Sequence, residues 1–367
     1  MRIKSILIFI TIIISILLLV RLALFEGPVV AETPLPTSPI IDMHVHTAGL
    51  GYGGSGCFIS DEMQSSYKFS HYLGAFDVTQ EQMAEHGDQL VVKHIAETIA
   101  ASKYVDGAVL LALDGVIDKN GQLDRSNTQV YIPNEFIAEQ TALYPSLYFG
   151  ASINPYRHDA LTRLEQVKKQ GAKLIKWLPN IQHIDPADEA LIPFYKKMKA
   201  LNLPLLTHTG QERSFSSAID EYGDPERLKL PLSLGVTVIA AHIATTGENE
   251  GEDNYQRVLA MFDKYPTLYA DISSLTQVNK LGYLNKALVE PHLAGRLIYG
   301  SDFPLVNTPL VKPYYFPLNL TLEQMREVSK VDNPVDRDVL LKQKLGVSTS
   351  TFSNSAKLLN ITPDEKP

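Results

Sequence analysis

Ile40-Ile41-Asp42-Met43-His44-Val45-His46 is where the architecture of this chain first shows itself. An apolar, β-branched start marks a strand, and the strand finishes on two histidines one residue apart. Strand side chains alternate between faces, so His44 and His46 leave on one side with converging imidazoles. Seven segments of the same kind follow, at 107–113, 147–153, 173–178, 204–208, 236–242, 268–273 and 296–300. Amphipathic stretches lie between them, at 88–103, 134–143, 160–170, 189–201 and 255–265, several next to Gly, Asn or Pro stop signals. Repeated βα units build either a doubly wound open sheet or a barrel. Eight units with polar residues at the strand ends favour the α/β class and a (β/α)8 TIM barrel. Residues 321–359 read as helices around a break at Asn333-Pro334, completing the outer layer.

The chain of 367 residues accommodates one large domain, and 45% hydrophobic with 20% charged residues can bury a sizeable core. A formal charge of -8 argues against a nucleic-acid partner, because phosphate binding needs concentrated Lys and Arg. The single cysteine, Cys57, leaves no internal disulfide and no thiolate zinc cluster. Arg2 and Lys4 precede an apolar run from Ile6 to Val20, broken by Thr11 and Ser15, which extends through Phe25 to a length able to span a bilayer. Residues 1–25 are therefore expected to be a signal peptide or membrane-anchor helix, with Val29-Val30-Ala31 resembling a cleavage site. A Pro-rich linker at 26–38 leads to a barrel at 39–367. The expected location is outside the cytoplasm, either membrane-anchored or periplasmic, with membrane contact through the N-terminal segment. The sequence leaves the oligomeric state open.

In barrel enzymes the catalytic groups sit at the C-terminal ends of the strands. After His44 and His46, those ends carry Lys176, His208, His242 and Asp302. Closure would bring Asp302 beside the two first-strand histidines. Imidazole and carboxylate donors suit a divalent metal, zinc first, with manganese, iron or nickel as alternatives and one or two ions in all. A position left to water would make the site catalytic, with Asp302 as general base and acid and His242 as both ligand and catalytic group. Lys176 at the mouth either binds a substrate carboxylate, bridges two metals as a carbamate, or stays solvated. Trp177, on the opposite face, packs against a helix or forms a substrate platform. His71, His86, His94, His158, His183 and His292 lie in loop or helical patterns and read as solvated or capping residues. Residues 48–85 read as a long loop, glycine-rich at its start, that could cover the mouth, with Tyr52, Tyr67, Phe69 and Tyr72 as candidate apolar lining.

These strand ends resemble the amidohydrolase superfamily, in its amidohydrolase-related group of metal-dependent barrel hydrolases and decarboxylases. The resemblance covers nearly everything after residue 38: His44 and His46 match the first-strand His-x-His, His208 and His242 the fifth- and sixth-strand histidines, and Asp302 the eighth-strand aspartate. It implies a mononuclear or binuclear site that activates water against an amide, ester or lactone carbonyl of a small molecule, with the aspartate shuttling the proton. Binuclear members would match only with Lys176 carbamylated. Some relatives are non-oxidative decarboxylases of carboxylic acids, which is the alternative expectation. A membrane-tethered binding protein that keeps the barrel without catalysis is the second.

Overall fold

The computed structural model describes residues 2–25, 33–66 and 68–362, so Val29-Val30-Ala31 and Tyr67 lie outside the described residues. All eight expected strands form: β1 (Ile41–Val45), β2 (Gly107–Leu111), β3 (Leu147–Ala151), β4 (Leu174–Trp177), β5 (Leu205–His208), β6 (Val238–Ala241), β7 (Leu268–Asp271) and β8 (Leu297–Ile298). They pair in parallel and in sequence order within one sheet. A doubly wound sheet reverses its strand order at a switch point, and this order has no reversal. The sheet curls, with helices in its connections, in the α/β manner of a TIM barrel.

Its apolar side chains divide between two faces. Ile41, Met43, Leu174, Leu206, Ile239 and Ile298 pack together inside the curl. Val45, Ile175, Trp177, Leu205 and Val238 pack outward with the helices. Each fully buried aliphatic side chain contributes roughly 1.5–3 kcal/mol, so both layers hold the curl strongly. Two residues beyond Leu174 and Leu206 stand Lys176 and His208, which continue the inner face to its upper rim.

β1 needs a further device, because Ile41 and Met43 face inward at odd positions while the histidines are even. Its pairing with β2 slips between Asp42 and Val45. One extra residue there exchanges the two faces, so Val45 turns out to the helices and both histidines turn in.

At the seam, β1 and β8 approach through their upper ends: the His46 amide donates to the Phe303 carbonyl at 2.9 Å and the Asp302 amide to the His44 carbonyl at 3.0 Å. Lower down a helix enters the seam. The Tyr299 amide donates to the Thr351 carbonyl at 3.1 Å, the Ser355 hydroxyl to the Ile41 carbonyl at 2.5 Å and Asn354 Nδ2 to the Leu297 carbonyl at 2.9 Å. Residues 321–359 form the helices Leu322–Ser329, Pro334–Lys344 and Thr349–Leu358 around the expected break. The last does more than complete the outer layer: Ala356 and Leu359 join the inner cluster, because β8, at two residues, is too short to pair β1 along its length.

Residues 48–85 are not a structureless loop. They hold helices Asp61–Gln64, Lys68–Ala75 and Gln80–His86, the last opened by a capping box between Thr79 and Gln82. Asp88 gathers the glycine-rich turn by accepting from the amides of Leu50 and Gly51 at 3.0 and 2.8 Å.

Arg2–Phe25 is a helix whose described apolar side chains, among them Ile6, Phe9 and Leu17, are exposed. Among the described residues no helix is long and apolar enough to cross a membrane. The near end of the linker is fastened to the last helices: Gln343 Nε2 donates to the Thr33 carbonyl at 2.9 Å and the Thr349 hydroxyl to that of Pro34 at 2.6 Å.

Candidate metal centre

The upper rim of the sheet brings together all six side chains singled out from the sequence: His44, His46, Lys176, His208, His242 and Asp302. His44 Nε2 lies 3.1 Å from His46 Nε2 and 3.8 Å from Asp302 Oδ1, and His46 Nε2 lies 3.3 Å from the same oxygen. Donors bound at roughly 2.0–2.2 Å to one tetrahedral ion stand about 3.4 Å apart, so this triad fits a single divalent cation. His242 stacks on His44 with ring centroids 5.2 Å apart, and His208 meets His242 edge-on at 5.5 Å. Neither joins the triad, whose donor atoms lie within 4.8 Å of one another. His208 Nε2 is nevertheless buried with no hydrogen-bond partner among the described residues, and Glu212 Oε2, at 3.7 Å, is too far to bond it. An unpaired ring nitrogen aimed at the rim suits a cation ligand.

One functional residue escaped the sequence reading. Asp271, fully buried at the end of β7, places Oδ2 2.7 Å from His44 Nδ1. Its Oδ1 accepts from the His242 amide at 2.8 Å and from the Ser273 hydroxyl at 2.5 Å. Having given its proton to Asp271, Ser273 Oγ accepts from His242 Nδ1 at 2.8 Å. This network assigns the Nδ1 proton to both imidazoles and leaves both Nε2 atoms bare. His44, His242 and Asp271 are also close enough to hold an ion, but the 2.7 Å separation is a hydrogen bond, and Asp271 is better read as the support behind His44. The signal was present in the sequence: Tyr269-Ala270-Asp271 ends its strand on a carboxylate as the other strands end on ligands.

The backbone turns sharply at two of these positions. His242, Ile243 and Ala244 take φ of 57°, 51° and 52°, and Asp302 takes 64°. Left-handed backbone at such residues costs on the order of 1–3 kcal/mol each and clusters where side chains must be aimed.

Burial pulls His44 down to about 4, helped by the Lys176 ammonium and opposed by Asp271. Burial likewise holds His242 well below the usual histidine range, with Lys280 acting in the same direction. Both rings are therefore neutral near pH 7. Burial alone would raise the Asp302 carboxyl, yet the charge that His242 and His44 carry when protonated, with the hydrogen bond from His46, holds it well below the usual carboxylate range. Burial brings Lys176 down to about 8 against the pull of Asp271 and Asp302. Its Nζ lies 2.9 Å from His44 Nε2 and donates to the lone pair that a metal would take. Trp177 points the other way and stacks on Phe194 at 5.7 Å, fully buried, so it packs rather than lining the mouth. The other histidines are dispersed: His94 lies against the Phe76 carbonyl, His158 against Gln122, His183 against the Ser217 carbonyl, His292 against Asp263 and His86 against Glu85, while His71 is exposed.

A family model described as Amidohydrolase matches residues 108–333, which include Lys176, His208, His242, Asp271 and Asp302 but start beyond His44 and His46. An uncharacterised TIM-barrel protein from Bordetella bronchiseptica superposes with a TM-score of 0.50 at 16% identity, over 83% of this chain and 99% of that one. The 5-carboxyvanillate decarboxylase of Sphingomonas paucimobilis gives a TM-score of 0.48 at 13% identity, over 89% of this chain and 100% of that one. At these identities the likeness is one of fold. No curated protein matches the sequence.

Proposed function

The chain belongs to the amidohydrolase family, which is metal-dependent and acts on small molecules, and from this we propose a hydrolase that cleaves an amide, ester or lactone carbonyl. The observation that carries the reading is the carboxylate of Asp302, 3.3 Å from His46 Nε2 and inside the donor triad, where it is both a ligand and a place for a proton. A divalent ion, zinc first, would be held by His44, His46 and Asp302, with His208 and His242 beside them; when bound it supplies Lewis acidity and acidifies water. Asp302 takes the proton of the attacking water at Oδ and returns it to the leaving atom as the carbonyl–heteroatom bond breaks. His242, neutral and bare at Nε2, orients that water by accepting its second hydrogen bond. Asp271 and Ser273 keep both rings in the tautomer that this requires.

Lys176 enters the same proposal. Near pH 7 an amine of pKa about 8 is roughly one-tenth unprotonated and can combine with carbon dioxide, losing a proton to become a carbamate. That form would free His44 Nε2 and would add a carboxylate-like ligand able to help hold a second ion. The apolar helix that follows Arg2 and Lys4 supports export as the setting of the activity.

Metal-loaded protein incubated in 18O-water with a panel of lactones, aryl esters and amides tests the reading. The expected result is one labelled oxygen in the product acid, loss of turnover on chelation and recovery with zinc. Release of carbon dioxide without label would replace hydrolysis by decarboxylation.

A further inference from the structure

Lys280 is a buried ammonium at the mouth that the hydrolytic steps leave unused. It ends the short turn Val278–Lys280 in the connection after β7 and is 6% exposed. Its Nζ donates to the Ser274 hydroxyl at 2.7 Å, and Ser274 Oγ lies 3.1 Å from His242 Nδ1. The charge therefore stands two hydrogen bonds from an imidazole of the site. Ser274 itself takes a left-handed φ of 55°, a backbone conformation that costs energy and fixes where its hydroxyl points.

Two other buried lysines show what a settled ammonium looks like. Lys342 bonds Asp338 at 2.7 Å and the Gly300 carbonyl at 2.9 Å, and Lys344 pairs with Glu327 at 2.8 Å. Among the described residues Lys280 has no carboxylate within 4.0 Å, and Ser274 is its one hydrogen-bond partner. A neutral hydroxyl does not balance a buried ammonium, and two of the three N–H donors remain for a ligand.

The charge of the mouth points the same way. Burial lowers the Lys280 ammonium from its usual range, opposed by the carboxylates of Asp302, Asp271 and Glu212. Set against Lys176 and Lys280, they leave one negative charge. One divalent ion reverses this to one positive charge, and a Lys176 carbamate with two divalent ions arrives at the same value. A monoanionic carboxylate balances it, whereas a phosphate group of about -1.5 to -2 overshoots.

We propose that Lys280 is a substrate-binding residue that receives a carboxylate, so that the hydrolysed carbonyl belongs to a small carboxylic acid. This rests on the hydrolase reading above. Calorimetric binding of benzoate and of its neutral counterpart benzamide to the zinc-loaded full chain, with metal content measured on the same samples, tests it. Benzoate is expected to bind the unmodified protein at least about tenfold more tightly than benzamide. Lys280→Met is expected to lose that preference while keeping its metal, and Lys280→Arg to keep most of it. Equal benzoate affinity in Lys280→Met, no benzoate binding to the unmodified protein, or loss of metal together with the anion in Lys280→Met would each overturn the proposal. The metal measurement keeps the two readings apart: an unmodified protein that takes up no zinc fails the hydrolase reading, whereas a zinc-loaded protein without a benzoate preference fails the Lys280 proposal alone.

Discussion

Asp271 Oδ2 accepts the Nδ1 proton of His44 at 2.7 Å, on the far side of the ring from the Nε2 that faces His46. The end of β7 thus sets which nitrogen of a β1 residue is available at the rim. Replacing this carboxylate by an amide removes the charge that fixes the ring. Asp271→Asn is expected to weaken metal binding by roughly 10–100-fold, read by competition with a chromophoric chelator. Unchanged affinity would reduce Asp271 to a packing residue.

Asp302 is both ligand and proton carrier in the proposed reaction. Asp302→Asn keeps the shape and one oxygen donor but removes the base, so kcat should fall by about 10²–10⁴ with the fold intact by circular dichroism. A variant within a few-fold of the unmodified rate would place the proton transfer elsewhere.

Lys176 divides the one-ion from the two-ion form of the site. If its carbamate bridges two ions, Lys176→Ala should retain about half the bound metal, and added short carboxylic acids should restore part of the loss. Equal metal content in variant and unmodified protein would leave a mononuclear site with Lys176 outside it.

Trp177 shares β4 with Lys176 but faces the helices, stacked on Phe194 and close to Tyr195 at a centroid distance of 6.0 Å. Trp177→Ala should lower stability by about 3–5 kcal/mol in urea unfolding while metal affinity stays as it was. A change in affinity without loss of stability would make it part of the mouth after all.

The strand ends were legible because each is an apolar run that stops on a donor, and alternation says which way the donor points. His44, His46, Lys176, His208, His242 and Asp302 all come together on that logic. Asp271 was missed although it obeys the same rule, since its partner sits on β1 and becomes a neighbour through the curl of the sheet. Lys280 lies in a turn of three residues, where no periodicity marks a side chain as buried. The helices within residues 48–85 were hidden by the glycines at the start of that stretch, although Thr79 and Gln82 spell out a capping box. Helix Thr349–Leu358 was visible as an element, but a helical pattern does not say whether its apolar face covers the barrel or enters the seam. The slip in β1 is a property of pairing with β2 and leaves no mark on β1 alone.

Bound metal per chain, measured by elemental analysis on the full-length protein purified without chelators, tests the central claim most directly when compared with a His44→Ala, His46→Ala double variant that is folded by circular dichroism. The account predicts about one to two divalent ions per chain in the unmodified protein and less than about a tenth of that in the variant. An unmodified protein that takes up no divalent metal, or a variant that binds as much as its parent, would contradict it.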